Sequence, residues 1–531
     1  MESKVKKINH VLISLLILAQ PFIIMFQANI VRDVQFLGLS VFEGFNILLS
    51  VVSLCLTIYT YNNKRMFLKY VPYVVILAAY ILAHGYNIYQ FNNSVYEAQS
   101  PSFLVETYYI FRTFFVPLLL MFNVYYSGIE KEKIIGILEK MLFVVVSVMV
   151  ATNLFKVAFI NYSEDMVRAS YSIFDWFTFE NTREYAYYDL TTKGWFLSGN
   201  QMSSILFMTL LVSMYRLYKK RDVFHYGLVV LQMLAMCMLG TKVANVGCLL
   251  IVALFILLWC LFACLKQHKK GIVFSVILLL ILSAVLPFSP IGYKYRFHFE
   301  HEEESDGESG LILDAAIAES SELEELDEEI KVFYENLVHD SIIFKKLEAD
   351  KLTNEEKEFV REYMITYGSY FGISTFIIEN YDDLDHSEFW VRYIQTTPNN
   401  DYRVLKTMIL KDIYNNNDNP LDRYLGMGYT TNYIYTEADY TYQIYLYGIV
   451  GLLLFVGPYF WTLLYVIYKG LRNFKKMFTL ESATYFIAPC IGLVVAKMSG
   501  HVLERTYPLL VIALLTGILL IHTRKTTCEK N

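Results

Sequence analysis

Runs of about twenty apolar residues recur along this 531-residue chain, and short clusters of lysine and arginine separate them. A helix needs roughly 20 mostly apolar residues to cross a bilayer. The composition agrees, because 55% of the residues are hydrophobic and only 18% are charged, whereas about a quarter are charged in soluble proteins. The sequence therefore predicts an all-α polytopic membrane protein.

We predict about twelve transmembrane helices, near residues 10–31, 39–61, 70–90, 104–127, 141–160, 199–218, 223–240, 243–265, 271–289, 442–468, 480–499 and 507–523. With both termini in the cytoplasm, the basic clusters between these spans all lie on the cytoplasmic side, as the positive-inside rule requires. The first apolar run lacks a small-residue cleavage site, so it is predicted to be a retained helix.

One large polar insertion, 291–440, separates the ninth span from the tenth and is predicted to be a mostly helical extracytoplasmic loop. Its part 298–364 is acidic, with 22 acidic and 6 basic residues in 298–362, and has helical periodicity. A solvated helix surface is the simplest reading of this acidic part. The chain thus divides into a membrane bundle (1–290), the loop, and spans 10–12 with a cytoplasmic tail (441–531).

No metal or cofactor site is predicted. The seven cysteines form no Cys-x-x-Cys pair, and the acidic insertion lacks the alternating ligands of a calcium-binding loop. There is no basic soluble domain, so nucleic acid is excluded as a partner.

Several ionisable residues lie inside or at the ends of predicted spans, where each costs about 2.5–3.5 kcal/mol on insertion scales. They are Glu43, Glu106, Arg112, Lys156, Lys242, Lys497, Glu504 and Arg505. Several cations on one side of a bundle would form a pocket for an anion, and the anion native to a membrane surface is a lipid phosphate or diphosphate. Glu106 and Arg112 are six residues apart, so we expect them to have different partners.

Five short motifs follow one another along the chain. They are Gly194-Trp195-Phe196-Leu197-Ser198-Gly199-Asn200 at a span entry, Gly240-Thr241-Lys242 at a helix start, Tyr402-Arg403 in the insertion, Leu425-Gly426-Met427-Gly428, and Glu437-Ala438-Asp439-Tyr440 followed by Tyr447-Gly448-Ile449-Val450-Gly451. In this order, with one large loop between late spans, they resemble the O-antigen polymerase/ligase superfamily. Lys242 stands where that family usually has arginine, so the charge is kept but the two-pronged guanidinium is lost.

The resemblance implies a metal-independent glycosyltransferase without a cofactor, which acts on oligosaccharide linked to undecaprenyl diphosphate. Its side chains must neutralise the leaving diphosphate and take a proton from the acceptor hydroxyl. For the diphosphate we expect Arg403, supported by Arg112 and Lys242. For the proton we expect Glu437 or Asp439, although either could instead complement the dipole of the next helix.

Three further residues are expected to bind substrate. Asn200 belongs to the motif at the span entry, and Gly426 and Gly428 would permit a tight turn or a close approach to the sugar.

The acidic residues at the re-entry favour a polymerase, because ligases of the family typically carry a histidine there. A polymerase would join repeat units of an O-antigen or capsule at the outer face of the bacterial cytoplasmic membrane, and a chain-length regulator could be its partner. An O-antigen-ligase-like transferase and a flippase for lipid-linked oligosaccharide are the alternatives. A flippase would not need the large loop and usually shows repeated halves, which this sequence lacks.

Overall fold

A computed structural model describes residues 2–29, 35–36, 39–62, 64–91, 101–162, 166–179, 186–262, 269–296, 402–417, 419–429, 436, 438–498 and 500–528. The acidic part of the insertion, 298–364, lies outside them.

The architecture is helical throughout these ranges, apart from a minimal antiparallel pair of strands, β1 (Gln35–Phe36) and β2 (Leu39–Ser40). The helices before the insertion are α1 (Glu2–Asn29), α2 (Val41–Thr60), α3 (Val71–Asn87), α4 (Phe103–Ile110), α5 (Val116–Tyr126), α6 (Lys131–Leu154), α7 (Gly199–Lys220), α8 (Val223–Leu239), α9 (Lys242–Phe262) and α10 (Lys269–Val285). The later ones are α11 (Tyr402–Asn416), α12 (Asp422–Leu425), α13 (Asp439–Phe455), α14 (Gly457–Arg472), α15 (Phe474–Met477), α16 (Leu480–Met498) and α17 (Thr506–Cys528).

Nine helical segments in the described part of the chain are long and apolar enough to cross a membrane, or ten if the bent pair Ile272–Phe288 and Pro290–Arg296 is one span. The polytopic helical fold is thus confirmed, whereas the count of twelve stays a prediction. The two remaining predicted spans correspond to α7 and α8. α7 is buried along most of its length, and its core face carries Ser203, Thr209 and Ser213. A helix surrounded by protein needs no uniformly apolar surface.

The centre of the bundle is α17, which is 89% buried over its most apolar stretch and packs against α5, α7 and α16. The segment Lys64–Gln90 is only 11% buried over the corresponding stretch, so it presents most of its surface to the surroundings. Large apolar side chains such as Val74, Val75 and Leu82 are exposed on it, as expected of a surface that faces lipid.

The fourth span is not a regular helix. A π-helical turn, Phe111–Phe115, joins α4 to α5, and Pro117 follows it. A π-turn inserts an extra residue and rotates the side chains around it, and such turns occur frequently at functional sites. This turn carries Arg112.

The fifth span begins earlier than predicted. Helix α6 covers Lys131–Leu154 rather than 141–160, because the charges of its first turns have partners in the bundle. Arg216 of α7 pairs with Glu139 (Nε–Oε1 2.7 Å) and with Glu132.

Helix α6 ends at Leu154, so the prediction that Lys156 lies inside the membrane segment is wrong. Lys156 follows the helix end, has a φ of +53°, and pairs at 3.1 Å with Asp175.

Candidate active site

The Leu425–Gly428 motif forms a backbone cap on a broken helix. Gly448 interrupts α13 with φ +65° and ψ 179°, which leaves the carbonyls of the preceding turn without helical partners. The Met427 and Gly428 amides donate to the carbonyl oxygens of Tyr445 and Leu446, each at 2.9 Å. The Tyr80 hydroxyl donates to the Tyr447 carbonyl oxygen at 2.7 Å. The backbone amides of Met427 and Gly428 are thereby satisfied by the broken helix.

Helix α3 anchors the same motif from the other side. Asn87 donates its amide to the Gly426 carbonyl oxygen at 2.9 Å and to the buried carboxylate of Asp422 at 2.7 Å. Burial raises the pKa of the Asp422 carboxyl, an effect that hydrogen bonds from Asn417 and Asn87 only partly offset. The re-entry of the insertion is thus fixed by buried polar contacts.

A buried histidine–glutamate pair links α3, α4 and the motif. His84 Nε2 lies 3.0 Å from Glu106 Oε1, and both side chains are 1% exposed. His84 Nδ1 lies 2.7 Å from the carbonyl oxygen of Leu425. Both ring nitrogens of His84 therefore lie within hydrogen-bond distance of an oxygen atom, one in α4 and one in the motif. Glu106 also accepts the Tyr429 amide at 2.9 Å.

Arg112 lies in the π-turn that follows α4. Its guanidinium forms an ion pair with Glu43 of α2, and Tyr108 donates to the same carboxylate at 3.1 Å. The guanidinium also lies over the Tyr109 ring, 4.7 Å from its centroid. Among the described residues, the buried Nε of Arg112 has no hydrogen-bond partner. The side chain as a whole is 23% exposed, so part of the guanidinium stays accessible while Glu43 orients it.

The Tyr109 ring connects Arg112 to the insertion, because it stacks on Tyr429 with centroids 3.7 Å apart and planes at 14°. Tyr429 directly follows Gly428, so the capping of α13 places this ring. Tyr109 is buried and Tyr429 is half-buried, so the stacked pair packs the guanidinium of Arg112 against the end of the insertion.

The turn between α16 and α17 closes the site. Asp439 Oδ2 accepts the backbone amides of Val502 (2.8 Å) and Leu503 (2.7 Å). Glu504 Oε1 pairs with His501 Nδ1 and with Arg505 Nε, each at 2.7 Å. Burial alone would raise the pKa of the Glu504 carboxyl, but Arg505 and His501 outweigh it and hold that pKa below its ordinary value.

The residues predicted from sequence separate into two groups. Arg112, Gly426, Gly428 and Asp439 come together around Tyr109 and the end of the insertion. The two glycines approach the backbone of α13 and the side chain of Ile88, rather than an open cleft. As expected, Glu106 and Arg112 have different ion-pair partners.

Lys242 and Asn200 lie at the contact between α7 and α9. Lys242 is exposed at the start of α9, just after Gly240, and Asn200 is half-buried in the first turn of α7. The neighbouring hydroxyls of Ser203 and Thr241 join the two helices at 2.7 Å. Arg403 lies in the first turn of α11, and Glu437 lies outside the described residues.

Sequence reasoning missed two members of the site. His84 is an ionisable residue within an apolar run, which is itself a functional signal. Tyr109 gives no comparable signal, because tyrosine is frequent throughout this chain. No group of His, Cys, Asp or Glu suited to a metal ion occurs in the described part of the chain.

These features define a multi-pass helical membrane protein that gathers an oriented arginine, stacked tyrosines and paired carboxylates at one end of its bundle. Comparison with known protein families then identifies the family to which the chain belongs. The chain belongs to the O-antigen ligase like membrane protein family, whose model matches residues 6–526. No curated protein and no solved structure matches it. Membership indicates a membrane-bound, glycosyl-transferring enzyme of O-antigen or polysaccharide assembly that acts on lipid-linked oligosaccharide.

Proposed function

We propose that this protein polymerises oligosaccharide repeat units carried on undecaprenyl diphosphate, at the outer face of the bacterial cytoplasmic membrane with both termini inside. The observation that carries the proposal is the placement of Arg112. A guanidinium within a span is oriented by Glu43 and by the Tyr109 ring, and that ring stacks on the re-entering insertion. A charge inside a span is costly, so a charged residue found there usually has a function such as binding an anion.

The reaction moves a growing glycan from its lipid carrier to a new repeat unit. The bond between the anomeric carbon and a diphosphate oxygen breaks, and its electron pair leaves with the diphosphate. A hydroxyl oxygen of the acceptor sugar bonds to that carbon, and its proton passes to a carboxylate. Catalysis therefore requires fixed cations at the leaving group and a base at the acceptor.

For the leaving group we assign Arg112, with Arg403 and Lys242 as further cations. A guanidinium can bind a phosphate through two parallel N–H groups, whereas lysine supplies a point charge. Lys242 and Asn200 lie where α7 contacts α9, and we assign them to a separate part of a large site that holds both substrates. Gly426 and Gly428 act by holding Tyr429 against Tyr109, since they cap the broken α13.

For the base we favour Glu437 over Asp439. One oxygen of Asp439 already accepts two backbone amides, and the side chain is fully buried. A carboxylate held in this way is suited to fixing a turn. Glu437 stands two residues earlier, at the boundary between the insertion and α13. A polymerase rather than a ligase follows from the acidic residues at this re-entry, and a chain-length regulator would be a further partner.

Reconstitution tests the proposal. Purified protein in lipid vesicles receives lipid-linked repeat units, and product length is followed by gel. We expect ladders from the wild type and at least a ~100-fold slower reaction from Arg112→Ala, the usual loss when one transition-state donor is removed. Arg472→Ala is the matched control, because Arg472 ends α14 and bonds only locally to Tyr468. Near-wild-type ladders from Arg112→Ala would reject the role of Arg112.

Cells distinguish the three functions considered. Loss of a polymerase leaves single repeat units on lipid at the outer face. Loss of a ligase leaves long chains on lipid, and loss of a flippase leaves single units at the inner face. Accumulation of long chains or of inner-face units in a deletion strain would contradict the polymerase assignment.

A further inference from the structure

The end of the bundle opposite the candidate site contains a sector whose cations are paired. Helix α17 begins beside the candidate site, where the Thr506 hydroxyl donates to the Arg112 carbonyl oxygen at 3.2 Å, and it ends in this opposite region. Around α6, α7 and α16, three cations there pair with glutamates: Lys131 with Glu481, Arg216 with Glu132 and Glu139, and Lys219 with Glu132. These positive charges are therefore neutralised within the protein.

A second sector at the same end carries positive charge alone. It comprises the 3-10 helix Lys64–Tyr70 and the ends of α5 and α17, and none of these three helices contains an acidic residue. Its cations, which we call the basic sector, are Lys64, Arg65, Lys69, Arg524 and Lys525. Within the described part of the chain, none of them forms an ion pair. The charge of the basic sector must therefore be balanced from outside the protein.

A chain of aromatic rings joins the two parts of the basic sector. The hydroxyls of Tyr70 and Tyr126 share a hydrogen bond of 2.6 Å, and the Tyr126 ring lies 4.6 Å from that of Tyr125, centroid to centroid. The half-buried Arg524 guanidinium lies over the Tyr125 ring, 4.8 Å from its centroid. The ring orients this guanidinium without neutralising its charge.

An exposed apolar face adjoins the basic sector. Helix α3 follows the 3-10 helix without a break, and its residues Val71, Val74 and Val75 are exposed. Their spacing of three and four places them on one face of the helix. Leu68 of the 3-10 helix is exposed as well. Cations followed directly by an apolar face match an amphiphile with an anionic head group.

We propose that the basic sector binds an anionic phospholipid of the cytoplasmic leaflet, with the phosphodiester at Arg524 and the acyl chains along the exposed face of α3. This inference rests on the proposed function only for the orientation of the bundle. An arginine can hold two phosphate oxygens, and cations near the surface attract the anionic leaflet. The paired sector does not compete for this lipid, because its glutamates offset its cations.

Native mass spectrometry of the purified full-length protein tests the inference, with anionic phosphatidylglycerol and zwitterionic phosphatidylethanolamine as probes. We expect the wild type to prefer phosphatidylglycerol by about tenfold, and Arg524→Gln to lose about that factor, as for one charge-assisted hydrogen bond. Phosphatidylethanolamine binding should not change. Lys219→Gln is the matched control, because it removes a cation at the same end that already pairs with Glu132 at 3.3 Å.

The 3-10 helix supplies a second variant, Lys64→Gln/Arg65→Gln/Lys69→Gln. We expect phosphatidylglycerol affinity to fall by about fivefold for each cation removed. No side chain of this helix is buried, so the unfolding temperature should stay that of the wild type. Added glycerol 3-phosphate should not displace phosphatidylglycerol, because it lacks acyl chains. Displacement would show a site for a soluble anion and would overturn the lipid assignment.

The outcomes separate this inference from the proposed function. If the wild type makes no ladders but prefers phosphatidylglycerol and loses that preference in Arg524→Gln, the lipid site stands and the polymerase assignment fails. If the wild type polymerises but both variants of the basic sector bind phosphatidylglycerol normally, the inference is overturned and the polymerase stands. Equal losses in Lys219→Gln and Arg524→Gln would also overturn it, because net charge and not the basic sector would then govern binding.

Discussion

His84 and Glu106 form a buried hydrogen-bonded pair, with Nε2 and Oε1 3.0 Å apart and both side chains 1% exposed. The pair joins α3 to α4, and each partner also bonds to the backbone of the insertion, at Leu425 and Tyr429. The position of the insertion at the candidate site thus depends on His84 and Glu106, although neither residue is assigned a role in the reaction.

Removing either partner should strongly destabilise the protein. His84→Ala leaves the buried carboxyl group of Glu106 without one of its hydrogen-bond partners, which typically costs about 1–3 kcal/mol. The double variant His84→Ala/Glu106→Ala should be less destabilised than the sum of the single variants, because neither side chain is then left without the other. Thermal unfolding of purified protein in detergent measures this. Strictly additive losses would show that the two side chains are not coupled.

Substitution of the glycines at the helix break should prevent the insertion from docking. A Cβ at Gly426 would collide with the Leu446 carbonyl, and one at Gly448 with the Tyr424 carbonyl; both residues also have positive φ. We expect Gly426→Ala and Gly448→Ala each to abolish polymerisation and lower the unfolding temperature. Gly470→Ala is the control, since nothing lies within 4 Å of its Cβ position. Full activity in Gly448→Ala would contradict the docking described.

Glu504 should make stability depend on acid pH. Its carboxyl pKa is held below the ordinary value of 4.5 in the folded protein. A depressed folded-state pKa contributes stability that is present above the unfolded value and is lost as the pH falls through the folded value. The unfolding temperature of the wild type should therefore fall below pH 4.5 more steeply than that of Glu504→Gln. Parallel curves for the two proteins would refute this contribution.

Lys156 should be dispensable, unlike Arg112. Its ion pair with Asp175 is half-exposed, with 48% of the lysine side chain accessible. Exposed pairs contribute about 0–1 kcal/mol. Lys156→Ala should therefore keep polymerisation within about twofold of the wild type in the vesicle assay. A loss as large as that of Arg112→Ala would mean that the polar segment after α6 takes part in the reaction.

The sequence predicted the helical membrane class and the family, because apolar run length and motif order are both local properties. It also identified Arg112, Glu106 and Arg505 as unusual, since charge inside or at the end of a span is costly wherever it occurs. It could not supply their partners. Glu43 comes from a different helix, and the bond from the Thr506 hydroxyl to the Arg112 carbonyl oxygen depends on the packing of α17 against the fourth span.

Hydropathy misplaced the fifth span for a related reason. The charged residues at the start of α6 reduce its apolar score, so the predicted span began ten residues too late. Glu132 and Glu139 pair with Arg216 of α7, and Lys131 pairs with Glu481 of α16, which are contacts that a linear pattern does not contain. For the glycine motif, the sequence predicted a tight turn or a close approach to the sugar. In the structure, Gly426 closely approaches the backbone of α13.

A structure of the protein in nanodiscs with undecaprenyl diphosphate bound would test the central claim most directly. The account predicts that the diphosphate lies beside Tyr429, with a phosphate oxygen within about 3 Å of the guanidinium group of Arg112. A diphosphate bound at the α7–α9 contact beside Lys242, with Arg112 still paired only to Glu43, would contradict it.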